Sequence, residues 1–409
     1  MIRAVPGCLR IPPAAIAGAL VALAAKLLLA ATTFGSTDVR SFLYFVLRNR
    51  ATGPISVYEQ VKECNHPPPM IFALDAIHRW TEATGASFAF GLRLPSILAD
   101  LGTFLLVASC LQPARGFART ALVLLALAPV SIFVSGFHGN TDPVMIFLVV
   151  LSVALLERSQ AAWLAGAAMG LALDVKIVPL VFWPAIFLWL PDGRKRAEYF
   201  GAALLVALAS WSPALLDSPA LVARRVFGYS SAYGHWGLSR LLPAAIFEEY
   251  GRFLLLAAIV GVSAWMNRGL RRPALFRQIG VVAFTFLALT PGFGVQYLAW
   301  LVPFAVALPL AAGFSFHAAS GAFLLAVYTF WCQRPPGASA DPDWLGASFW
   351  SRGLPWEIAN ANRTGPWRGE LVILEVACWL AVALGLALKV RAAAAEARGS
   401  RDGRARGSA

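Results

Sequence analysis

The 409-residue sequence predicts an all-α, polytopic membrane fold, and three observations carry that expectation. Apolar residues make up 59% of the chain and charged residues 13%, about half the charged share of an ordinary soluble domain. Mean hydropathy is +0.67. The apolar residues fall in long runs, and a bilayer needs roughly 20 of them per helix. These figures exclude a disordered chain, a coiled coil and a cytosolic enzyme. Net charge is +13, but the basic residues sit in short segments between the apolar runs. That is the mark of membrane topology, so no nucleic-acid partner is expected. The five cysteines, Cys8, Cys64, Cys110, Cys332 and Cys378, show neither a CxxC pair nor metal-ligand spacing.

About twelve spans are expected, at 12–34, 91–111, 118–136, 143–157, 161–174, 177–190, 199–216, 252–267, 277–290, 295–312, 315–332 and 370–390. The middle ones are short and meet Pro143, Pro179 and Pro184, so half-helices or tilted pairs are expected there. The first span has a cleaved signal peptide as its rival reading; Lys26 interrupts the apolar stretch and favours an uncleaved helix. With the N-terminus inside and strict alternation, the inner segments hold eighteen basic and five acidic residues, and the outer ones fourteen of each. The positive-inside rule then puts both termini in the cytoplasm, and a plasma (inner) membrane is the expected location. The longer segments, 35–90, 217–251 and 333–369, face outward. Within the first, Val39–Arg50 and Met70–Trp80 have helical periodicity with polar faces and read as amphipathic surface helices. The whole chain, 1–409, reads as one integral membrane domain with no internal repeat, and its basic tail, 391–409, as disordered.

Chemistry-bearing residues cluster at the outer ends of these spans. Asp38 directly follows the first span; it is either a general base that takes a proton from an attacking hydroxyl or a helix N-cap. His66 opens a stiff Pro67-Pro68-Pro69 run and is able to touch a polar ligand. Arg93 and Asp100 lie two turns apart on one helix face, about 10.5 Å along the axis. A charge at such depth needs a partner, and Lys26 is the expected partner of Asp100. In Gly136-Phe-His138-Gly-Asn140-Thr-Asp142-Pro143, turn and cap chemistry competes with ligand binding. Lys176, at a broken helix junction, is a phosphate ligand or a snorkelling side chain with Asp174 as counter-ion. Arg224 and Arg225 beside aromatics, with His235-Trp236, suit a phosphate or sugar site or an interfacial belt. Gln296, at the top of an apolar span beside Tyr297, needs a polar partner.

Taken in order, these segments resemble the GT-C superfamily of polytopic glycosyltransferases, and within it the polyprenyl-phosphate-sugar-dependent mannosyl- and glucosyltransferases. The resemblance rests on Asp38 in the first outer loop, HPPP (66–69), RLPSILAD (93–100), FHGNTDPV (137–144) with LALDVKIVP (171–179), GFGVQYLAWLVPF (292–304) and the RRVFGY…WGLSRL segment (224–242). It covers roughly residues 10–310 as a catalytic transmembrane module, with C-terminal helices at 311–390. It implies inverting transfer of a mannose-like hexose from a polyprenyl-phosphate donor to a hydroxyl of a glycan, lipid or protein, on the periplasmic or extracellular side. Asp38 matches the family's base; Lys176, Arg225 and Arg224 stand where it would hold the donor phosphate. His66, His138, Asn140, Asp142, Trp236, Gln296 and Tyr297 are then the expected substrate-binding residues. Many members carry a second acidic residue where this chain has Ser36, so a metal at Asp38 has no support and no cofactor is expected. The alternative is a secondary transporter or a flippase for lipid-linked sugars, with no glycosyl transfer.

Overall fold

The computed structural model describes residues 11–62, 64–110, 117–228, 234–268, 274–331 and 369–405. Helix α1 (Pro13–Thr32) has proline at its first turn, where an N–H has no intrahelical partner to lose. α2 (Thr37–Thr52), α3 (Pro54–Gln60) and α4 (Pro68–Thr84) follow in the first long segment, and cover the residues expected to be helical there. Valine and phenylalanine on α2 (Val39, Phe42, Phe45, Val46) bury against Val57, Tyr58, Met70, Ile71 and Leu74. On the polar side Arg50 joins Asp75 at 2.5 Å and Glu82 at 2.9 Å. α2 to α4 therefore form a small layer whose core is shared with later helices through Leu92, Trp211, Ala214, Val222 and Val226.

α5 (Phe88–Cys110) is followed by α6 (Phe117–Ala126) and α7 (Pro129–Phe133), which runs into a π-helical turn, Val134–His138. α8 (Asp142–Arg158) and α9 (Ala162–Val175) come next; then a 3-10 turn, Val178–Phe182, opens α10 (Trp183–Trp189). α11 (Gly193–Asp217) and α12 (Pro219–Phe227) lead through α13 (Ala244–Ile246) to α14 (Arg252–Asn267) and α15 (Leu275–Leu289). The 3-10 turn Val295–Trp300 and α16 (Val302–Ala305) precede α17 (Leu310–Trp331) and α18 (Glu370–Ala405). α9 packs between α8 and α11. Gly166 and Gly170 make the second contact possible, because a Cβ at either would press on the Tyr199 or Ala203 carbonyl oxygen of α11.

Seven helical stretches among the described residues are long and apolar enough to cross a membrane: 13–32, 88–109, 119–138, 193–217, 248–267, 310–329 and 371–395. The chain is thus an all-α, multi-pass membrane protein, with seven helices of full spanning length among the described residues. Helices 162–175, 178–189 and 275–289 are apolar and short. The expected span 295–312 is broken into a 3-10 turn and one turn of α16, because Pro303 and Pro309 interrupt the backbone ladder. Val295 and Tyr297 to Val306 are buried, the setting in which irregular backbone is tolerated at membrane depth. The tail departs from expectation as well: α18 continues through Ala405 instead of ending near 390. The alanine run at 392–395 explains it, since alanine has the highest helix propensity. The outer segment expected at 333–369 lies outside the described residues except Gly369, as does Cys332; Cys64 is a buried free thiol.

Two charges inside the bundle organise its packing. Lys26 Nζ sits 2.9 Å from Asp100 Oδ2, the expected pair, and also donates to Ser131 Oγ at 2.7 Å. Ser131 and Ser135 donate to the same carboxylate oxygen. Arg93 is fully buried and takes a different role: it donates to the Ala30 and Thr33 carbonyls at 3.2 and 2.8 Å and to the Phe34 carbonyl. These are the carbonyls that the end of α1 leaves unpaired, where a cation also meets the negative pole of the helix.

Candidate active site

The end of α1, the start of α2, the π-helical turn, the start of α8 and the end of α9 meet at one end of the bundle. By capping α1, Arg93 directs the chain into Gly35–Asp38. Ser36, not Asp38, is the N-cap of α2: its hydroxyl accepts from the Asp38 N–H at 3.2 Å. The same hydroxyl donates to the His138 carbonyl at 2.7 Å, and the Ser36 N–H reaches that carbonyl at 3.2 Å. Relieved of capping, the Asp38 side chain turns toward His138 and Asn140. His138 Nε2 lies 3.1 Å from Asp38 Oδ2, and Asn140 Nδ2 donates to the same oxygen at 2.5 Å. Oδ1 accepts no hydrogen bond from a described residue, and 31% of the side chain stays exposed. Gly139, between the two donors, has φ +79°, and a Cβ there would strike Val39, so glycine alone fits this turn.

Asn140 ties this group to a second one. Its Oδ1 accepts the Asp142 N–H at 2.9 Å at the start of α8. Asp142 is fully buried, and Lys176 Nζ donates to its Oδ1 at 2.7 Å. The Lys176 ammonium also lies over the rings of Tyr297 and Trp300, 5.2 and 5.7 Å from their centroids. Those two rings stack at 4.3 Å. His66 packs edge-on to Phe42 at 5.1 Å with Nδ1 3.4 Å from the Val175 carbonyl, next to Lys176 in the chain.

The charges here are strongly coupled. Burial pushes the Asp38 carboxyl up, but His138, the hydrogen bonds from His138 and Asn140, and the Lys176 charge outweigh it and hold the group at about 2. Asp38 is therefore an anion throughout the physiological range. Burial, helped by the Lys176 charge, pushes His66 down to about 4, so that imidazole is neutral.

Asp38, His66, His138, Asn140, Asp142, Lys176 and Tyr297 are thus one connected neighbourhood. Gln296 is half-buried at its edge. Three expected residues go elsewhere. Arg225 donates to the Tyr58 and Glu59 carbonyls at 2.7 and 3.2 Å and so caps the end of α3; Arg224, one residue earlier, faces out. Trp236 is fully buried, stacked on Phe293 at 3.9 Å with its N–H on the Leu287 carbonyl, which leaves it no surface for a substrate. Asp174 is not the counter-ion of Lys176, since it accepts from Ser210 and Trp211 on another face. Two residues of the site were not expected. Trp300 had no signal beyond its place in an aromatic segment. Tyr328 on α17 places its hydroxyl 3.0 Å from His138 Nδ1; a hydroxyl in an apolar run, which needs a buried partner, was the available signal. Among the described residues, no group of three or more His, Cys, Asp or Glu is placed to hold a metal.

Residues 134–240 match the model of the Mannosyltransferase (PIG-M) family. That family lies within the GT-C superfamily, so the resemblance seen in the motifs holds. The match takes in about a quarter of the chain, including His138, Asn140, Asp142 and Lys176; Asp38, Tyr297 and Tyr328 fall outside it. With the seven apolar helices, it fits a GT-C-like membrane mannosyltransferase. No curated protein and no solved structure matches the chain.

Proposed function

We propose that the protein transfers a mannose from a polyprenyl-phosphate donor to an acceptor hydroxyl, with inversion, at the outward end of the bundle. The observation that carries this reading is Asp38: an ionised carboxylate that the described residues hold through Oδ2 and leave without a partner at Oδ1, in a network that includes a buried ammonium. The acceptor hydroxyl donates to Asp38 Oδ1, and its oxygen attacks the sugar C1 from the face opposite the phosphate. The C1–O bond breaks, its electron pair leaves on the phosphate oxygen, and the hydroxyl proton passes to Oδ1. A weakly basic carboxylate suffices, because the attacking oxygen becomes far more acidic as its bond to carbon forms. A phosphate departs without an acid, and Lys176 stabilises the charge developing on it.

A groove of about 620 Å³ beside this network supports a lipid-linked donor. Ile177, Val226, Phe286, Tyr297 and Trp300 line it, with Arg252 among them. Its apolar side suits a prenyl chain, Arg252 and Glu248 make the other side polar, and Tyr297 and Trp300 are shared between the groove and the Lys176 ammonium.

The test is transfer from synthetic polyprenyl-phosphate mannose by purified protein in nanodiscs, with the anomeric configuration of the product read by NMR. Asp38→Asn is expected to lower turnover by about 100-fold or more while folding and insertion are unchanged. Lys176→Gln is expected to raise the donor KM more than the acceptor KM. Full activity of Asp38→Asn would remove Asp38 as the base. Movement of lipid-linked sugar across vesicles with no transfer would favour the flippase reading.

A further inference from the structure

We infer that Tyr328, from a helix outside both the family match and the resemblance, is a positioning residue of the catalytic centre that acts through His138 on Asp38. The inference rests on Asp38 being the base. The geometry is a chain of three side chains from three parts of the sequence: Asp38 on α2, His138 in the π-helical turn and Tyr328 on α17. The separations are 3.1 Å from Asp38 Oδ2 to His138 Nε2 and 3.0 Å from His138 Nδ1 to the Tyr328 hydroxyl. His138 is 2% exposed and Tyr328 fully buried, so water does not substitute for either contact. Phe137 at 5.0 Å, Phe133 at 6.1 Å and Trp331 at 5.6 Å surround the phenol ring and prevent it from swinging away.

The chemistry follows from the two nitrogens of imidazole. A neutral histidine carries one proton, and which nitrogen holds it depends on the partner of the other. Were it on Nδ1, the Nε2 lone pair would face the Asp38 carboxylate at 3.1 Å and repel it. The Tyr328 hydroxyl, by donating to Nδ1, makes that nitrogen the acceptor and leaves the proton on Nε2. There it donates to Asp38 Oδ2 and keeps Oδ1 aimed at the acceptor hydroxyl. If the imidazole is charged, the hydroxyl turns to accept and the Nε2 donor is kept. The π-helical turn is what aims His138 both ways: one extra residue in the turn rotates its side chain from the α7 register into the gap between α2 and α17.

The experiment combines kinetics with ¹⁵N-histidine NMR of the full-length protein in nanodiscs. In Tyr328→Phe, kcat is expected to fall about tenfold or more with donor and acceptor KM unchanged, as happens when an orienting partner is lost. The His138 resonances are expected to report the Nε2–H form in the wild type and a mixture with Nδ1–H in the variant. His138→Gln, whose amide can donate to Asp38 from the same place, is expected to keep more activity than His138→Ala. Wild-type kcat in Tyr328→Phe, alongside an inactive Asp38→Asn, would overturn the role of Tyr328 and leave the base intact. An active Asp38→Asn would instead overturn the base. If Tyr328→Phe fails to insert, the wild-type spectrum decides, and a neutral Nδ1–H form of His138 overturns the inference.

Discussion

At the scale of single residues, the site works by giving each polar atom one task. Ser36 takes over the capping of α2, which releases Asp38. Asn140 spends its oxygen on α8 and its amide on Asp38. His66 stands beside them as a neutral imidazole, and this has a consequence for stability. Its folded value is about 4 against an ordinary 6.5. The unfolded chain therefore binds a proton first as pH falls, so stability is complete above about 6.5 and drains away between 6.5 and 4. The loss is on the order of 3 kcal/mol by linkage. Thermal unfolding of His66→Gln is expected to lose the slope across that window; an unchanged slope would assign it to other groups.

Among elements, buried ion pairs and close helix contacts decide the arrangement. Lys26 on α1 and Asp100 on α5 are held together inside the bundle, with Ser131 and Ser135 completing the carboxylate's partners. Removing one member leaves an uncompensated charge, so Lys26→Leu is expected to cost about 3–5 kcal/mol. The double variant Lys26→Leu with Asp100→Leu is expected to recover most of that, because the pair must first repay the cost of taking both charges out of water. Urea or thermal unfolding of the three variants checks it, and a Lys26→Leu protein as stable as the wild type would show that the pair is not a structural tie. Arg93 is the contrasting case. It answers helix carbonyls rather than a carboxylate, and so it serves the placement of Asp38.

For the whole molecule, the network lies where α9 ends and the basic start of α11 lies at the opposite end of that helix pair, since Gly166 faces Tyr199 and Asp174 accepts from Ser210. Tyr297 lies under Lys176 at the site, whereas the carbonyl of Phe304, a few residues later, takes Lys389 at 2.7 Å. The irregular stretch between them is buried and links the site to a buried cation of α18. Arg194–Arg196 and the end of α18 belong to the end away from Asp38. A cysteine at 82 in a cysteine-free background is expected to react with a membrane-impermeant maleimide from outside the cell, and one at 194 only after the membrane is opened. The reverse pattern would place the site in the cytoplasm and sink the outward reading.

The amino-acid pattern alone pointed to the helical membrane class, to a Lys26–Asp100 pair and to Asp38, His138, Lys176, Arg225 and Gln296 gathering on one side, of which the structure joins Asp38, His138 and Lys176 in one network and sends Arg225 to the α3 carbonyls. Each follows from local rules: apolar length, the expense of a buried charge, polar residues where apolar runs end. Tertiary structure alone decided the partners. That Lys176 meets Asp142 rather than Asp174, that Arg225 and Trp236 face away from the site, and that Tyr328 reaches His138 all depend on helix rotation and tilt. Helix rotation is set by packing between segments far apart in the chain, such as the glycine face of α9 against α11, and one linear pattern does not encode which face meets which neighbour.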